Sequence, residues 1–204
     1  LISLVQPLGL PSVALTFDPH PAELLHPSLA RHFLTTTQRR AELLLSLGLD
    51  AVFVLTTTPE LLNFSAEEFY SEVLCRCFHS AAIAEGEDFH FGRNRQGTLS
   101  DLKRWAERDS IELTTVSPVR ISGTVVSSSR IRGLLEKGDV TDANELLVFP
   151  YRVEGQVEQG QRRGKELGFP TANLGSVYTL VPQDGVYAGV ATIASGARYG
   201  AAIH

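Results

Sequence analysis

The residues best suited to chemistry lie between positions 160 and 173. This stretch combines three glycines, three cations and a Pro-Thr-x-Asn tetrad, in the order Gly160, Arg162, Arg163, Gly164, Lys165, Gly168, Pro170, Thr171 and Asn173. Glycine lets the backbone approach a ligand closely, and backbone N–H groups beside Arg and Lys bind phosphate. A Walker A loop is excluded, because the glycine spacing is one residue short and Glu166 stands where Ser or Thr is required. The stretch predicts a different kind of phosphate-binding loop.

Thr171 and Asn173 form the polar end of this stretch. Pro170 has a fixed φ and biases the residue before it towards extended backbone, which favours a strand. Residues two apart on a strand face the same side, so the hydroxyl and the amide are expected to converge. Both supply hard oxygen ligands suited to a magnesium–nucleotide complex. The alternative is a glycine-rich β-hairpin with a solvated basic tip.

Two other polar loops follow short apolar runs that are predicted to be buried parallel strands. Residues 12–17 lead into Asp18-Pro19-His20-Pro21, and residues 81–84 lead into a loop that contains Asp88 and Phe89. Open α/β sheets bind ligands at the carboxyl ends of their strands, which makes both loops candidate binding sites. An aromatic ring beside a carboxylate also suits a planar ligand. The alternatives are a rigid proline turn and an ordinary aromatic turn.

A third centre combines three serines, Ser127–Ser129, with Arg130 and Arg132. The serines are predicted to cap a helix that ends near Gly138. The free N–H groups at a helix N-terminus bind anions. The two arginines point to different sides of the first turn, so one of them is expected to meet a phosphate. The alternative is a capped helix with solvated arginines.

The elements around these centres change character along the chain. Helices are predicted at 37–47, from Ser65 to about 78, and from Thr98 or Ser100 to 108. A second buried strand is predicted at 51–55, and a further strand at 111–116. This alternation predicts a parallel sheet with helices on both faces. From 151 to 158 apolar and polar residues alternate, and another strand is predicted at 186–193, which is typical of an all-β domain.

Four motifs resemble, in order, those of the bacterial bifunctional riboflavin kinase/FMN adenylyltransferases, or FAD synthetases. Three are similar to the adenylyltransferase half: Phe17-Asp18-Pro19-His20-Pro21, Gly86-Glu87-Asp88-Phe89-His90-Phe91-Gly92 and Val126-Ser127-Ser128-Ser129-Arg130-Ile131-Arg132. The fourth is similar to the riboflavin kinase signature: Arg163-Gly164-Lys165-Glu166-Leu167-Gly168-Phe169-Pro170-Thr171-Ala172-Asn173-Leu174. Together they span nearly the whole chain. Ser129 departs from the family's usual Thr but keeps the hydroxyl.

The resemblance implies FAD biosynthesis in the cytoplasm, with ATP, riboflavin and FMN as partners. ATP would phosphorylate riboflavin to FMN with the help of Mg²⁺, and a second ATP would adenylylate FMN to FAD. For the adenylyl site the resemblance implies binding by Asp18, His20, Asp88, Phe89, Ser127, Ser128, Ser129 and Arg132. For the kinase site it implies binding by Gly160, Gly164, Lys165, Gly168, Pro170, Thr171 and Asn173, with Thr171 and Asn173 as metal ligands.

The resemblance also implies an α/β fold in two parts. A Rossmann-like nucleotidyltransferase domain with a parallel sheet would cover residues 1–147, followed by an incomplete all-β riboflavin kinase barrel over 148–204. The family's H-x-G-H motif would precede Leu1 and its kinase carboxylate would follow His204. No catalytic residue is therefore assigned, and we expect a chain truncated at both ends and inactive by itself. A single-activity adenylyltransferase and a non-catalytic flavin- or nucleotide-binding protein stay open as alternatives.

Composition excludes several classes of partner. The formal net charge of −5 argues against a general nucleic-acid binder. No apolar run approaches the length of a membrane span, so we expect a soluble protein without a membrane partner. Cys75 and Cys77 are two apart in a helical pattern and point away from each other, which predicts free thiols and suits a reducing compartment.

Overall fold

The computed structural model describes residues 9–26, 33–158 and 171–204. The chain divides into two compact units: Leu1–Ala30 with Thr36–Val125, and Arg31–Thr35 with Val126–His204. The predicted domain boundary at 147/148 lies inside the second unit, and it stays a prediction.

The first unit alternates strands and helices. Its elements are β1 Val13–Asp18, α1 Pro21–Leu25, α2 Thr37–Ser46, β2 Ala51–Thr56, α3 Pro59–Asn63, α4 Ala66–Glu68, β3 Ala82–Gly86, β4 His90–Phe91, β5 Gly97–Thr98, α5 Leu99–Arg108, β6 Glu112–Val116, β7 Arg120–Ile121 and β8 Thr124–Val125. α4 continues into wider helical turns over Phe69–Cys77, the π-helical segment. β1 pairs in parallel with β2, and β3 pairs in parallel with β6. The mixed α/β class with parallel strands is confirmed, although the described strands form separate pairs rather than one sheet.

Local sequence signals explain where the longer helices begin. The Thr36 hydroxyl caps α2 by accepting a hydrogen bond from the backbone N–H of Arg39 at 3.1 Å. Ser65 and Glu68 form the predicted capping box at α4. Thr98, rather than Ser100, caps α5, because its side chain accepts from the N–H of Asp101. These polar residues satisfy backbone donors that the first helical turn leaves without partners.

Helices contact both faces of the β1–β2 pair. Thr16 bonds to a side chain of α2, whereas the next residue, Phe17, contacts Phe69 of the π-helical segment. Successive strand residues face opposite sides, so the two contacts lie on opposite faces. The prediction that both strands are buried is wrong for Val13 of β1, which is 42% exposed, and for Phe53 and Val54 of β2, which are 47% and 45% exposed. Only two described strands share this sheet, which leaves these side chains with few neighbours.

Aromatic rings form the core of the first unit. Tyr70 and Leu102 are completely buried, and the Tyr70 ring lies 5.5 Å from that of Trp105 between centroids. Phe91 meets Trp105 edge-on at 6.2 Å and Phe69 at 6.1 Å. Rings at these separations gain stability from their geometry as well as from the apolar surface they bury. This core joins α5 to the π-helical segment and to the loop after β3.

In its described residues, the second unit contains two helices and four short strands. They are α6 Ser128–Leu135, α7 Val140–Glu145, β9 Gln156–Glu158, β10 Asn173–Gly175, β11 Tyr187–Thr192 and β12 Arg198–Ile203. β9 pairs with β10 and β11 pairs with β12, both antiparallel. Over 126–158 and 171–204 these pairs do not close into the predicted barrel. In the described part of the chain, no helix has the length and apolar character needed to cross a bilayer.

The segment before β9 differs from the predicted strand at 151–158. Only the last three residues are a strand, and all three are exposed. The backbone N–H of Tyr151 donates to the Asn144 side chain at 2.6 Å, and its hydroxyl donates to the Leu180 carbonyl at 2.6 Å. These two hydrogen bonds hold Tyr151 against α7 and Leu180, so Tyr151 does not pair with a strand.

Leu102→Ala is expected to destabilise the first unit by about 2–5 kcal/mol, because it opens a cavity in the aromatic core. Leu45→Ala is the matched control, since Leu45 lies in a helix but is 46% exposed. It should change the free energy of unfolding by about 0.5 kcal/mol or less. Urea unfolding followed by the fluorescence of Trp105, the only tryptophan, measures both. Equal losses in the two variants would contradict the packing described.

Candidate functional site

The loop Asp18–Pro21 begins where β1 ends. The Asp18 carboxylate accepts a hydrogen bond from the Thr37 hydroxyl at 3.0 Å, and its carbonyl accepts from the Thr57 N–H at 3.0 Å. Thr57 is only 5% exposed, and its hydroxyl donates to the carbonyl of Pro19 at 2.5 Å. The loop is thus held by the first turn of α2 and by the residue that follows β2.

His20 occupies the N-cap of α1. Its Nδ1 accepts from the Ala22 N–H at 3.1 Å, and its own N–H donates to the Glu23 carboxylate at 2.9 Å. Because Nδ1 is an acceptor, this hydrogen bond assigns the ring proton of the neutral form to Nε2. His20 therefore shapes the turn that begins α1, and its contact with a substrate stays a prediction.

Arg40 lies near this loop and was not identified by the sequence motifs. Its Nη1 donates to the hydroxyl of Thr16 at 2.9 Å, and Thr16 is 6% exposed. Burial lowers the pKa of the Arg40 guanidinium, and the carboxylates of Asp18 and Glu23 oppose that shift. A half-buried cation thus lies in the electrostatic field of two carboxylates that shape the loop.

A signal for Arg40 was present in the sequence. Arg40 lies three and four residues before Leu43 and Leu44, on the same stripe of α2. Charged side chains are rarely buried unless they have a partner. An arginine on an apolar helical stripe therefore indicates a polar partner inside the unit, although it does not identify Thr16.

Asp88 and Phe89 lie in the loop after β3. The half-buried Phe89 ring stacks on Phe91, with centroids 5.2 Å apart and planes at 15°. Phe91 is 7% exposed and belongs to the core. Asp88 is exposed, and its carbonyl lies 2.8 Å from Nδ1 of His90. One face of Phe89 is thus covered by Phe91, while the Asp88 carboxylate is accessible beside it.

An aromatic row connects these two loops within the first unit. We use that name for Phe17, Phe69, Phe91 and Phe89, whose successive ring centroids are 6.4, 6.1 and 5.2 Å apart. Phe17 directly precedes Asp18, and Phe89 directly follows Asp88. The row therefore ends beside Asp18 at one loop and at Phe89, next to Asp88, at the other.

Gly92, which follows the Asp88–Phe89 loop, packs closely against the start of α4. Its φ is +71°, and an added Cβ would lie 2.5 Å from the backbone nitrogen of Ala66. The next residue, Arg93, donates its N–H to the Phe64 carbonyl at 2.7 Å. Only glycine combines this left-handed conformation with so close an approach of two backbones.

Glu85 stands near the end of β3, just before the Asp88 loop. Burial raises the pKa of its carboxyl from 4.5 to about 7, and a hydrogen bond from the Gly86 backbone partly offsets this effect. Desolvation disfavours the charged form, so the residue titrates near neutral pH. No sequence motif indicates a role for Glu85, because the burial of its carboxyl depends on tertiary packing.

The serine-rich motif forms the predicted capped helix. The Ser127 hydroxyl accepts from the Arg130 N–H at 3.3 Å, and Ser128 and Ser129 are the first two residues of α6. Arg132 is half-buried, and its Nη2 donates to the Ser129 hydroxyl at 3.4 Å, whereas Arg130 is exposed. The cap is confirmed, and phosphate binding by this turn stays a prediction.

Most of the predicted kinase loop lies outside the described residues, namely Gly160, Gly164, Lys165, Gly168 and Pro170. Thr171 and Asn173 are described, and both are exposed. The prediction that they share a strand is wrong, because β10 begins at Asn173. In the pairing of β10 with β9, Asn173 lies opposite Glu158, and the positions that would lie opposite Ala172 and Thr171 fall outside the described residues. Convergence of the two side chains therefore stays a prediction.

The predicted adenylyl-site residues divide between the two units. Asp18, His20, Asp88 and Phe89 belong to the first unit, whereas the Ser127–Arg132 turn belongs to the second. Within residues 9–26, 33–158 and 171–204, no three His, Cys, Asp or Glu side chains form a group that could hold a metal ion. The first unit is thus an α/β unit in which candidate binding loops follow parallel strands.

Comparison with protein families identifies the class. The model of the family described as FAD synthetase matches residues 1–130, and the model described as riboflavin kinase matches residues 147–204. The chain therefore belongs to the FAD synthetase family, which confirms the resemblance inferred from the motifs.

Several curated relatives are named bifunctional riboflavin kinase/FMN adenylyltransferase. The protein of Listeria monocytogenes is 34% identical over 182 residues, covering 88% of this chain and 57% of its own length. The Pseudomonas fluorescens protein is 33% identical and the Escherichia coli K12 protein 29%, each covering 88% of this chain and 58% of its own length. This chain thus spans somewhat more than half the length of these relatives.

A solved structure supports the fold. A crystal structure described as a macrolide-efflux protein from Streptococcus pneumoniae matches with a TM-score of 0.84 and 30% identity, over 98% of this chain and 65% of the other. The likeness extends over both units of the present chain.

Glu85→Gln is expected to change how stability depends on pH. The unfolded chain releases the Glu85 proton near pH 4.5, but the folded protein keeps it until about pH 7. The folded state binds more protons in this window, so the contribution of Glu85 to stability falls as the pH rises from about 4.5 to 7. The variant should therefore be more stable than wild type at pH 8, by about 1–2 kcal/mol once solvent screening of a half-buried carboxyl is allowed for.

Urea unfolding at pH 5 and pH 8 measures this effect. Glu112→Gln is the control, because Glu112 lies in the strand paired with β3 and is exposed. It should keep the wild-type pH dependence. A Glu85→Gln protein with the wild-type difference between pH 5 and pH 8 would show that the carboxyl is not desolvated.

Proposed function

We propose that the protein makes FAD from riboflavin in two steps. ATP would first transfer its γ-phosphoryl group to the ribityl hydroxyl, forming FMN. A second ATP would then transfer AMP to FMN, forming FAD and pyrophosphate. The observation that carries this proposal is the succession of two family matches on one chain, FAD synthetase at 1–130 and riboflavin kinase at 147–204. The free thiols of Cys75 and Cys77 support the cytoplasmic location that belongs to the proposal.

The proposed organisation has one site for each step. A Rossmann-like adenylyltransferase domain would cover 1–147, and 148–204 would form part of an all-β riboflavin kinase barrel. The parallel pairs in the first unit and the antiparallel pairs in the second support this division. Helices α6 and α7 would belong to the adenylyltransferase domain by sequence while packing within the second compact unit.

The adenylyl site would use positioning and charge rather than covalent chemistry. Asp18 and His20 lie in a loop fixed by hydrogen bonds, and Asp88 is exposed beside the stacked ring of Phe89. These residues would orient FMN and ATP. The N-terminal turn of α6 presents backbone N–H groups, and Arg132 adds a cation that would neutralise phosphate.

The kinase site would combine the glycine-rich loop with Thr171 and Asn173. These two side chains offer a hydroxyl and an amide oxygen, both neutral and both on exposed residues. Such a donor set fits a magnesium ion whose remaining ligands are the phosphate oxygens of ATP and water. When bound, magnesium would neutralise the charge that develops on the transferred phosphoryl group. Gly160, Gly164, Lys165, Gly168 and Pro170 would bind ATP and riboflavin alongside it.

Product analysis with riboflavin, ATP and magnesium tests the proposal on the protein as its gene encodes it. Wild type should form FMN and then FAD. Arg132→Ala should slow only FAD formation, because it removes a charged contact worth about 1.5–3 kcal/mol, or one to two decades in rate. Arg130→Ala is the matched control, since Arg130 lies in the same turn but is exposed. Wild type that forms neither product would contradict the proposal, and equal loss of both steps in Arg132→Ala would contradict the assignment of Arg132.

Thr171→Val tests the kinase site. Valine keeps the branched shape but removes the oxygen, so riboflavin phosphorylation should fall about a hundredfold while added FMN is still converted to FAD. Thr192→Val is the control, because Thr192 is an exposed strand threonine in the same unit. Both activities should be measured across a magnesium titration. Wild-type phosphorylation by Thr171→Val at low magnesium would exclude Thr171 as a metal ligand.

A further inference from the structure

Arg40 is a cation on a helical stripe that continues with two leucines. It lies three and four residues before the half-buried Leu43 and Leu44 of α2, and α2 packs against β1 and β2. Partial removal of a guanidinium from water costs free energy that a leucine would not cost. Helix packing alone therefore does not explain an arginine at this position.

The polar partners of Arg40 are those that shape the Asp18–Pro21 loop. Its Nη1 donates to the buried hydroxyl of Thr16 at 2.9 Å. Thr16 and Asp18 are two apart on β1 and therefore share a face of the strand. The carboxylates of Asp18 and Glu23 both interact electrostatically with the guanidinium.

Those two carboxylates hold the loop in shape. Asp18 accepts the Thr37 hydroxyl at 3.0 Å, and Glu23 accepts the backbone N–H of His20 at 2.9 Å. The Arg40 guanidinium balances both negative charges and donates to Thr16 of β1. Without it, the Thr16 hydroxyl would lose this donor, and both carboxylates would lose a neighbouring cation.

We propose that Arg40 is a positioning residue for the adenylyl site, which holds Asp18 and His20 in the orientation that meets the substrate. This inference rests on the proposed function, because it requires that the Asp18–Pro21 loop takes part in converting FMN to FAD. Arg40 itself acts through Thr16, Asp18 and Glu23 and is not assigned a contact with substrate.

The test compares kcat/KM for the conversion of FMN to FAD among single and double variants of the protein as its gene encodes it. Arg40→Met should lower kcat/KM about tenfold or more, since small misplacements of binding groups are costly. Arg40→Lys keeps the charge and should recover much of the loss. Riboflavin phosphorylation, measured in the same preparations, should stay at the wild-type rate.

Thr16→Val distinguishes positioning from general stability. Valine has nearly the shape of threonine but lacks the hydroxyl that accepts the Arg40 hydrogen bond. This variant is therefore expected to fold even if Arg40→Met is poorly stable. If Arg40 acts through Thr16, the double variant Thr16→Val/Arg40→Met should be little worse than the more impaired single variant. Multiplicative losses in the double variant would overturn the inference.

Arg39→Met is the matched control, because Arg39 is the adjacent arginine and pairs with Glu42 of the same helix at 3.1 Å. It should keep wild-type kcat/KM. If Arg40→Met and Thr16→Val behave like Arg39→Met, or if both reactions and the melting temperature fall in parallel, the inference is wrong. A wild-type protein that forms no FAD from FMN would overturn the proposed function, and the inference with it.

Discussion

The contact on which the first unit most depends is the packing of aromatic rings between its two parallel strand pairs. β1–β2 and β3–β6 share no hydrogen bonds in the described residues, so side chains must hold them together. The aromatic row does this, with Phe69 and Phe91 between its two ends and Trp105 behind them. Because Phe17 and Phe89 adjoin Asp18 and Asp88, the same packing that stabilises the core also sets the spacing of two candidate binding loops.

Polar groups near these loops are satisfied locally, which limits how far the loops can move. Thr37 and Thr57 bond to Asp18 and Pro19 at the start of the Asp18–Pro21 loop. His20 is both a cap and a candidate ligand group. Buried hydroxyls and partly buried charges would be costly without these partners. These internal contacts organise the candidate binding loop in the absence of a ligand, and such preorganisation would lower the entropy lost on binding.

The second unit shows why a domain boundary predicted from the sequence pattern can differ from the boundary between compact units of the structure. α6 and α7 follow the alternating α/β segment, yet Ile131, Leu135 and Ala143 form a core with Leu180, far along the chain. The Gln183 N–H donates to the Leu135 carbonyl at 3.0 Å, at the C-terminal end of α6. The helix that carries Ser127 and Arg132 is thus anchored by residues close to the β-strands of the second unit.

The sequence by itself determined what depends on neighbours along the chain. Caps at Ser65, Thr98 and Ser127, the helices they begin, and the loops after β1 and β3 all follow from local residue types, and the ordered motifs identified the family. Tertiary structure decided what depends on distant partners: the exposure of β2, the desolvation of Glu85 and the partners of Arg40. These features arise from pairing register and burial, which bring together residues that no local pattern relates.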